Sequence, residues 1–149
     1  MRLHAVCVLA LGVLLAAGCT QQFYQGPAQG RAEVAVISAG PDVVFRTVDG
    51  NTWTPYGARI LLRSPVEVLP GRHTIRVLCI WKIGQEGLFR EIYVKSEPAD
   101  LVFEAEAGHE YIVMRQAEDR LRPGTIVLLD KTAPRTVTAR KCIPDYAVP

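Results

Sequence analysis

The stretch "VEVLPGRHTIRVLCIW", Val66 to Trp81, decides how the chain is read, and it has an echo in "FEAEAGHEYIVM", Phe103 to Met114. Each runs strand-like residues into a glycine, then a histidine, then strand-like residues again. Glycine tolerates the positive φ of a tight turn, and proline presets a turn position, so Pro70-Gly71 and Gly108 punctuate strands. On a strand, side chains two apart share a face. His73, Ile75, Val77, Cys79 and Trp81 therefore line one side, while Thr74, Arg76, Leu78, Ile80 and Lys82 line the other. The first set is the better core candidate. Leu101, Phe103, Ala105 and Ala107 form a second apolar face, with Asp100, Glu104 and Glu106 opposite. His109 shares its side with Tyr111, Val113 and Arg115. Each histidine stands just past a turn glycine, at the mouth of a strand.

The same alternation continues on both sides. "EVAVIS", "DVVFRTV", "RILLRS", "VEVL", "LFREIYV", "DLVFEAEA", "EYIVMRQ", "TIVLLD" and "RTVTARK" are short runs bounded by turn residues, and Asp49-Gly50-Asn51 is a strong hairpin signal. A loop is expected around Gly84 and Gly87, and "RQAEDRL" has room for one helical turn. Strands every 8–12 residues without βαβ alternation predict an all-β fold, an antiparallel β-sandwich or small barrel of about seven to nine strands.

The first residues are of another kind. "MRLHAVCVLALGVLLAAGCT" has a positive start, an apolar run from Ala5 to Ala17 and a small-residue exit, the pattern of a secretory signal peptide. The run is shorter than the about 20 apolar residues a spanning helix needs. "AAGC", Ala16 to Cys19, resembles the bacterial lipobox, with alanine where leucine is usual. The resemblance implies cleavage after Gly18 and acylation of Cys19, palmitate being one such chain, and two or more acyl chains anchor a protein stably. Thr20 in the next place resembles the outer-membrane-directed pattern, which predicts a lipoprotein on the periplasmic face of the bacterial outer membrane. The expected organisation is a signal peptide over 1–18, a lipidated N-terminus and flexible Gln/Gly/Pro-rich tether over 19–32, and a domain over 33–149. A tether of a dozen residues spans roughly 20 Å as a random coil.

Four cysteines are encoded. Cys7 leaves with the leader and Cys19 is the lipid acceptor, so Cys79 and Cys142 remain in an oxidising compartment and are expected to pair. Strand parity opposes this, because Cys142 shares its side with Thr136, Thr138 and Arg140. The two meet only if the last strand ends near Lys141 and the chain turns inward.

The net charge of +2, from 17 Lys and Arg against 15 Asp and Glu, gives no electrostatic case for nucleic acid. The sequence has no G-x-S-x-G, H-E-x-x-H or C-x-x-C motif, and neither an enzymatic activity nor a cofactor is expected. A Cys-His nucleophile would need Cys79 beside His73 or His109. A zinc or copper site would draw on His73 and His109, with the two cysteines as further donors, but no spacing joins them.

The order Val48-Asp49-Gly50, then Pro70-Gly71-Arg72-His73, then Ala107-Gly108-His109-Glu110-Tyr111 resembles PEGA-type and related small bacterial β-sandwich modules, including a group of small lipoproteins. That resemblance implies a secreted β-sandwich and carries no activity with it. The immunoglobulin pattern does not fit, since Trp81 lies two residues after Cys79 and Arg140 stands where a corner tyrosine would. The expected function is a lipid-anchored structural or protein-interaction module in the periplasm, held to the membrane by its N-terminal lipid, with another envelope protein as its partner. The alternative is a small-ligand or metal-binding lipoprotein.

Overall fold

The computed structural model describes residues 20–52, 65–88 and 90–145. The leader over 1–18, Cys19 and the run "RILLRS" lie outside the described residues. Among the described residues eleven strands are present: β1 (Gln21–Gln22), β2 (Ala35–Ala39), β3 (Val43–Val48), β4 (Asn51–Thr52), β5 (Val66–Val68), β6 (Gly71–Glu86), β7 (Arg90–Lys95), β8 (Ala99–Ala105), β9 (Glu110–Gln116), β10 (Thr125–Asp130) and β11 (Arg135–Lys141). One sheet has the order β1-β5-β2-β9-β10-β11, the other β4-β3-β6-β7 with β8 also on β6. They do not close into a barrel, so the fold is an all-β sandwich, without helix among the described residues. The number exceeds the expectation because β1 and β4 are two residues each, too short for any periodicity to show. The sheets are also not purely antiparallel, since β1–β5 and β2–β9 run parallel.

The parity reading of the opening stretch holds. Ile75, Val77, Cys79 and Trp81 on β6 and Leu101, Phe103 and Ala105 on β8 are buried, and they meet Ile37, Val66, Tyr111, Val113, Ile126 and Leu128 of the facing sheet. Each buried aliphatic side chain of this size contributes about 1.5–3 kcal/mol relative to exposure. Ala107 departs from the expectation. It is exposed, because β8 stops at Ala105 and residues 107 and 108 form the turn into β9.

The Asp49-Gly50 turn is as expected. Val48 pairs with Asn51, and Asp49 and Gly50 have φ of 49° and 78°, positive at both central positions as a twisted two-residue hairpin requires. The loop expected at Gly84 is absent: β6 runs on to Glu86, with a register shift between Lys82 and Gly84, and the chain reverses at Gly87 and Leu88. Ile80 N–H donates to Asp42 on the β3 side of β6, whereas Ser96 N–H donates to Cys79 O on the other. Strands β7 and β8 thus follow one another along one side of β6, interrupted at Ser96, Glu97 and Pro98. The lower half of this hairpin belongs to the sandwich. Beyond Trp81 it continues as an arm, roughly 17 Å long at about 3.3 Å per residue.

Residues 21–23, read from the sequence as part of a flexible tether, are instead paired to the domain. Gln21 N–H donates to Pro65 O at 2.8 Å, Phe23 N–H donates to Glu67 O at 2.9 Å, and the Phe23 ring packs against the core. The domain therefore begins before Glu33.

The arm leaves from the end of the sandwich where β2 passes to β3. Cys79 and Cys142 form a disulfide there, with Cα atoms 6.1 Å apart. The parity objection is removed by the predicted inward turn. Strand β11 ends at Lys141, Cys142 N–H donates to Gly124 O at 3.0 Å, and the tail crosses to the other sheet. In that sheet Glu97 N–H donates to Ile143 O and Asp145 N–H donates to Lys95 O. Gly124 has φ of +74°, and a Cβ there would lie 2.3 Å from Gln116 O, so glycine alone fits. Instead of a helical turn, "RQAEDRL" forms a loop closed by Arg122 N–H donating to Asp119 O. The buried Arg115 side chain holds it, donating to Arg122 O at 2.7 Å, to Arg120 O at 3.3 Å and to Asp42 Oδ2 at 3.1 Å.

Candidate functional site

Both histidines lie at the other end of the sandwich, where β6 begins and β8 ends. His73 enters β6 with its ring against the β3–β4 turn. Its Nδ1 is 2.6 Å from Asp49 Oδ2 and its Nε2 2.6 Å from Leu69 O. Both ring nitrogens therefore face acceptors. Asp49 uses its second oxygen to accept Thr74 N–H at 2.8 Å, which ties the turn to β6.

His109 opens β9 in the facing sheet. Its Nδ1 is 2.9 Å from Asp130 Oδ2, and its Nε2 lies 3.6 Å from Glu106 Oε2. Arg135, at the start of β11, reaches both carboxylates, bonding to Glu106 and lying 3.6 Å from Asp130 Oδ2. Asp130 has no exposed side-chain surface, and its Oδ1 accepts the N–H groups of Thr132 and Ala133 at 3.0 Å each. Burial by itself pushes the Asp130 carboxyl up. The Ala133 amide, the His109 imidazole and the Thr132 amide together outweigh it and hold the group below the usual carboxylate value. Burial pushes the neighbouring Tyr111 phenol up, although its oxygen accepts Glu106 N–H at 3.0 Å.

The two histidines are not brought to one centre. They are joined instead by a row of rings: His73 to Phe103 at 6.2 Å, Phe103 to Tyr111 at 5.3 Å, and Tyr111 to His109 at 6.2 Å. Parity could place each histidine on the core side. It could not show that Phe103 and Tyr111, on different sheets, would pack between them with their rings tilted.

Three potential metal donors do converge, since one atom each from Glu106, His109 and Asp130 lies within 4.8 Å of the others. Imidazole with two carboxylates suits zinc. Two features weigh against that use. Asp130 already accepts two backbone amides and the imidazole, and the Arg135 guanidinium supplies a positive charge between the carboxylates. The set is a closed network of charges, of the sort that satisfies buried polar groups. Sequence reasoning found His109 but neither acid nor Arg135, whose convergence depends on three strand ends. The only hint was "GHE" following an alternating acidic face.

The cysteines are elsewhere. Cys79 and Cys142 are oxidised to each other at the opposite end, so neither is a thiolate beside His73 or His109. Ser96 is buried, accepting Cys79 N–H at 2.9 Å and donating to Glu97 O at 2.7 Å, which fixes the break between β7 and β8. On the outer face of the second sheet, a hollow of about 410 Å³ is lined by Arg46, Thr47, Thr52, Arg76 and Pro98 with Phe45. Arg76 is already bidentate to Asp100, at 2.8 and 2.9 Å. Comparison with known proteins finds no matching family, curated protein or solved structure.

Proposed function

We propose that this chain is a lipid-anchored envelope protein acting as a structural or protein-interaction module on the periplasmic face of a bacterial outer membrane. The observation that supports it best is the way polar groups are disposed. The interior is filled by large apolar side chains, Trp81, Tyr111 and Phe45 among them. The most complex polar cluster, His109 with Asp130, Glu106 and Arg135, is satisfied by its own members. What remains for function is surface. Strand β11 offers one such surface, since among the described residues it ends its sheet and pairs only with β10, leaving a row of backbone groups for a partner strand. Its Arg140 and Lys141 limit indiscriminate pairing and favour a partner with acidic side chains.

Two measurements test the proposal. Cys19→Ser should leave an unprocessed or mislocalised precursor, and membrane fractionation at the unchanged mature mass would sink the anchor. Crosslinking in intact cells, with a photoreactive residue at Ala139 on β11, should capture one envelope protein reproducibly. The rival reading is a metal-binding lipoprotein using Glu106, His109 and Asp130. One equivalent of zinc or copper on the purified protein, lost in His109→Ala, would establish that reading instead.

A further inference from the structure

Eight large apolar side chains are prominently exposed among the described residues, and six of them stand at the end opposite the histidines. Ile83, Leu88, Ile92 and Tyr93 lie on the β6–β7 arm, Leu121 on the loop held by Arg115, and Ile143 on the tail beyond the disulfide. Leu88, at the reversal of the arm, is 83% exposed and Ile143 is 58% exposed. Apolar side chains gathered on one surface mark a contact, whereas scattered ones need no explanation. The charges on the arm itself are largely neutralised in place: Lys82 pairs with Glu91, Arg90 with Glu86, and Lys95 with Asp145, whereas Arg120 and Arg122 flank Leu121 outside any ion pair among the described residues.

The path of the N-terminus says what the contact is with. Strand β1 runs parallel to β5, with Gln21 opposite Val66, and Val66 is opposite Ile37 of the antiparallel β2. Both β2 and the entry to β1 therefore face the end at which β2 passes to β3. The chain comes into the domain from the apolar end. Cys19 is two residues before Gln21, whose N–H is bonded to Pro65 O. Two residues span at most about 7 Å, against the roughly 20 Å of a free tether. Acyl chains on Cys19 would hold the sandwich close to the bilayer by this end.

From these placements we infer that the end carrying Leu88, Leu121 and Ile143 lies against the lipid surface, with the tip of the β6–β7 arm immersed at the headgroup boundary and the histidine end turned away. The inference rests on the lipid-anchor reading. Tyr93 on the arm has the amphipathic character favoured at that boundary. With the charges of the arm paired, insertion of its tip is apolar and does not require anionic lipid.

The test uses the mature protein reconstituted into vesicles of phosphatidylethanolamine, with and without phosphatidylglycerol. Because Cys79 and Cys142 are bridged and Cys19 would be acylated, an introduced cysteine is the one free thiol. An environment-sensitive fluorophore at Leu88→Cys or Leu121→Cys should shift to the blue in both vesicle types and lose emission when the acyl chains are brominated. The same fluorophore at Arg72→Cys, beside the histidine end, should do neither. Intact mass of the same samples reports separately on the anchor. Acylated protein whose labels at 88 and 121 behave like that at 72 overturns the orientation while the anchor stands. If the mass shows no acyl chain, the anchor reading fails. The unacylated mature protein, now carrying Cys19→Ser so that the introduced thiol is again the one labelled, then decides with the same vesicles, a blue shift at 88 and 121 retaining the lipid-facing end and its absence overturning it. A shift that appears without vesicles and grows with protein concentration overturns it in favour of a second copy.

Discussion

At one end of the sandwich, His73 and His109 each face an aspartate, Arg135 bridges two carboxylates, and Asp130 is wholly buried with every oxygen used. At the other, a disulfide and a buried arginine hold two segments in place, and six large apolar side chains remain in the open. The contrast reverses the functional expectation that composition alone suggests. The chemically reactive residue types sit where they are consumed by structure, because a polar group leaving water must find partners. The unreactive leucines and isoleucines stand exposed among the described residues.

The largest expected difference between the ends comes from the covalent link. The bridge joins residues 63 apart, and loop-closure entropy gives about 4 kcal/mol at most. The double variant Cys79→Ser/Cys142→Ser should lose about 2–4 kcal/mol in denaturant unfolding, with hydrogen exchange rising first at residues 142–145 and 117–124. Uniform exchange across both ends would break the view that this end is held by the bridge.

Next is Asp130→Asn at the histidine end, expected to cost about 1–3 kcal/mol because the charge facing His109 and Arg135 is removed. Its pH dependence has a definite sign. The native Asp130 carboxyl is held below its value in the unfolded chain, near about 3.9. Its contribution is thus fully present above that unfolded value and is lost as pH falls through the lower native one. Wild type and variant should differ most above roughly pH 4 and converge in stronger acid. A gap that stays constant down to pH 2 would show that the carboxylate charge is not what matters.

Tyr111→Phe is a smaller change at the same end. It leaves the ring row intact and deprives Glu106 N–H of its acceptor, for a loss of about 1 kcal/mol by thermal unfolding. The smallest expected effect sharpens the comparison most. Leu88→Ser should alter stability by no more than about 0.5 kcal/mol, since its side chain is exposed in the domain itself. A large loss there would mean that the arm packs on the domain and is not free for an outside contact.

Much of the sandwich was legible because strands declare themselves locally. Alternation placed Ile75, Val77, Cys79 and Trp81 inward, and Asp49-Gly50 marked its turn, since both depend on the residues in place and their neighbours. The length of β6 was not legible. Gly84 and Gly87 read as a loop, yet Gly84 is held in the sheet by pairing with Ile92, a register that the sequence around Gly84 does not specify. Strand β1 was missed for a similar reason. Two glutamines among Gln, Gly and Pro have no pattern, and β5 is what makes them a strand. The acids and arginine around His109 were also invisible, because Glu106, Asp130 and Arg135 sit at the ends of three different strands.

The sequence by itself determined the all-β class, the positions of most strands, the faces they bury and the pair of cysteines available for bridging. These follow from period-two alternation, turn chemistry and residue counting, none of which needs a distant partner. Tertiary structure alone decided which end each feature occupies. It carried Cys142 inward past Lys141, set His73 and His109 at one end with Phe103 and Tyr111 between them, and drew Gln21 onto β5. The physical reason is that alternation specifies the face a side chain takes but not its neighbour across the sheet. That neighbour is set by register and strand order, through backbone hydrogen bonds between residues far apart in the chain.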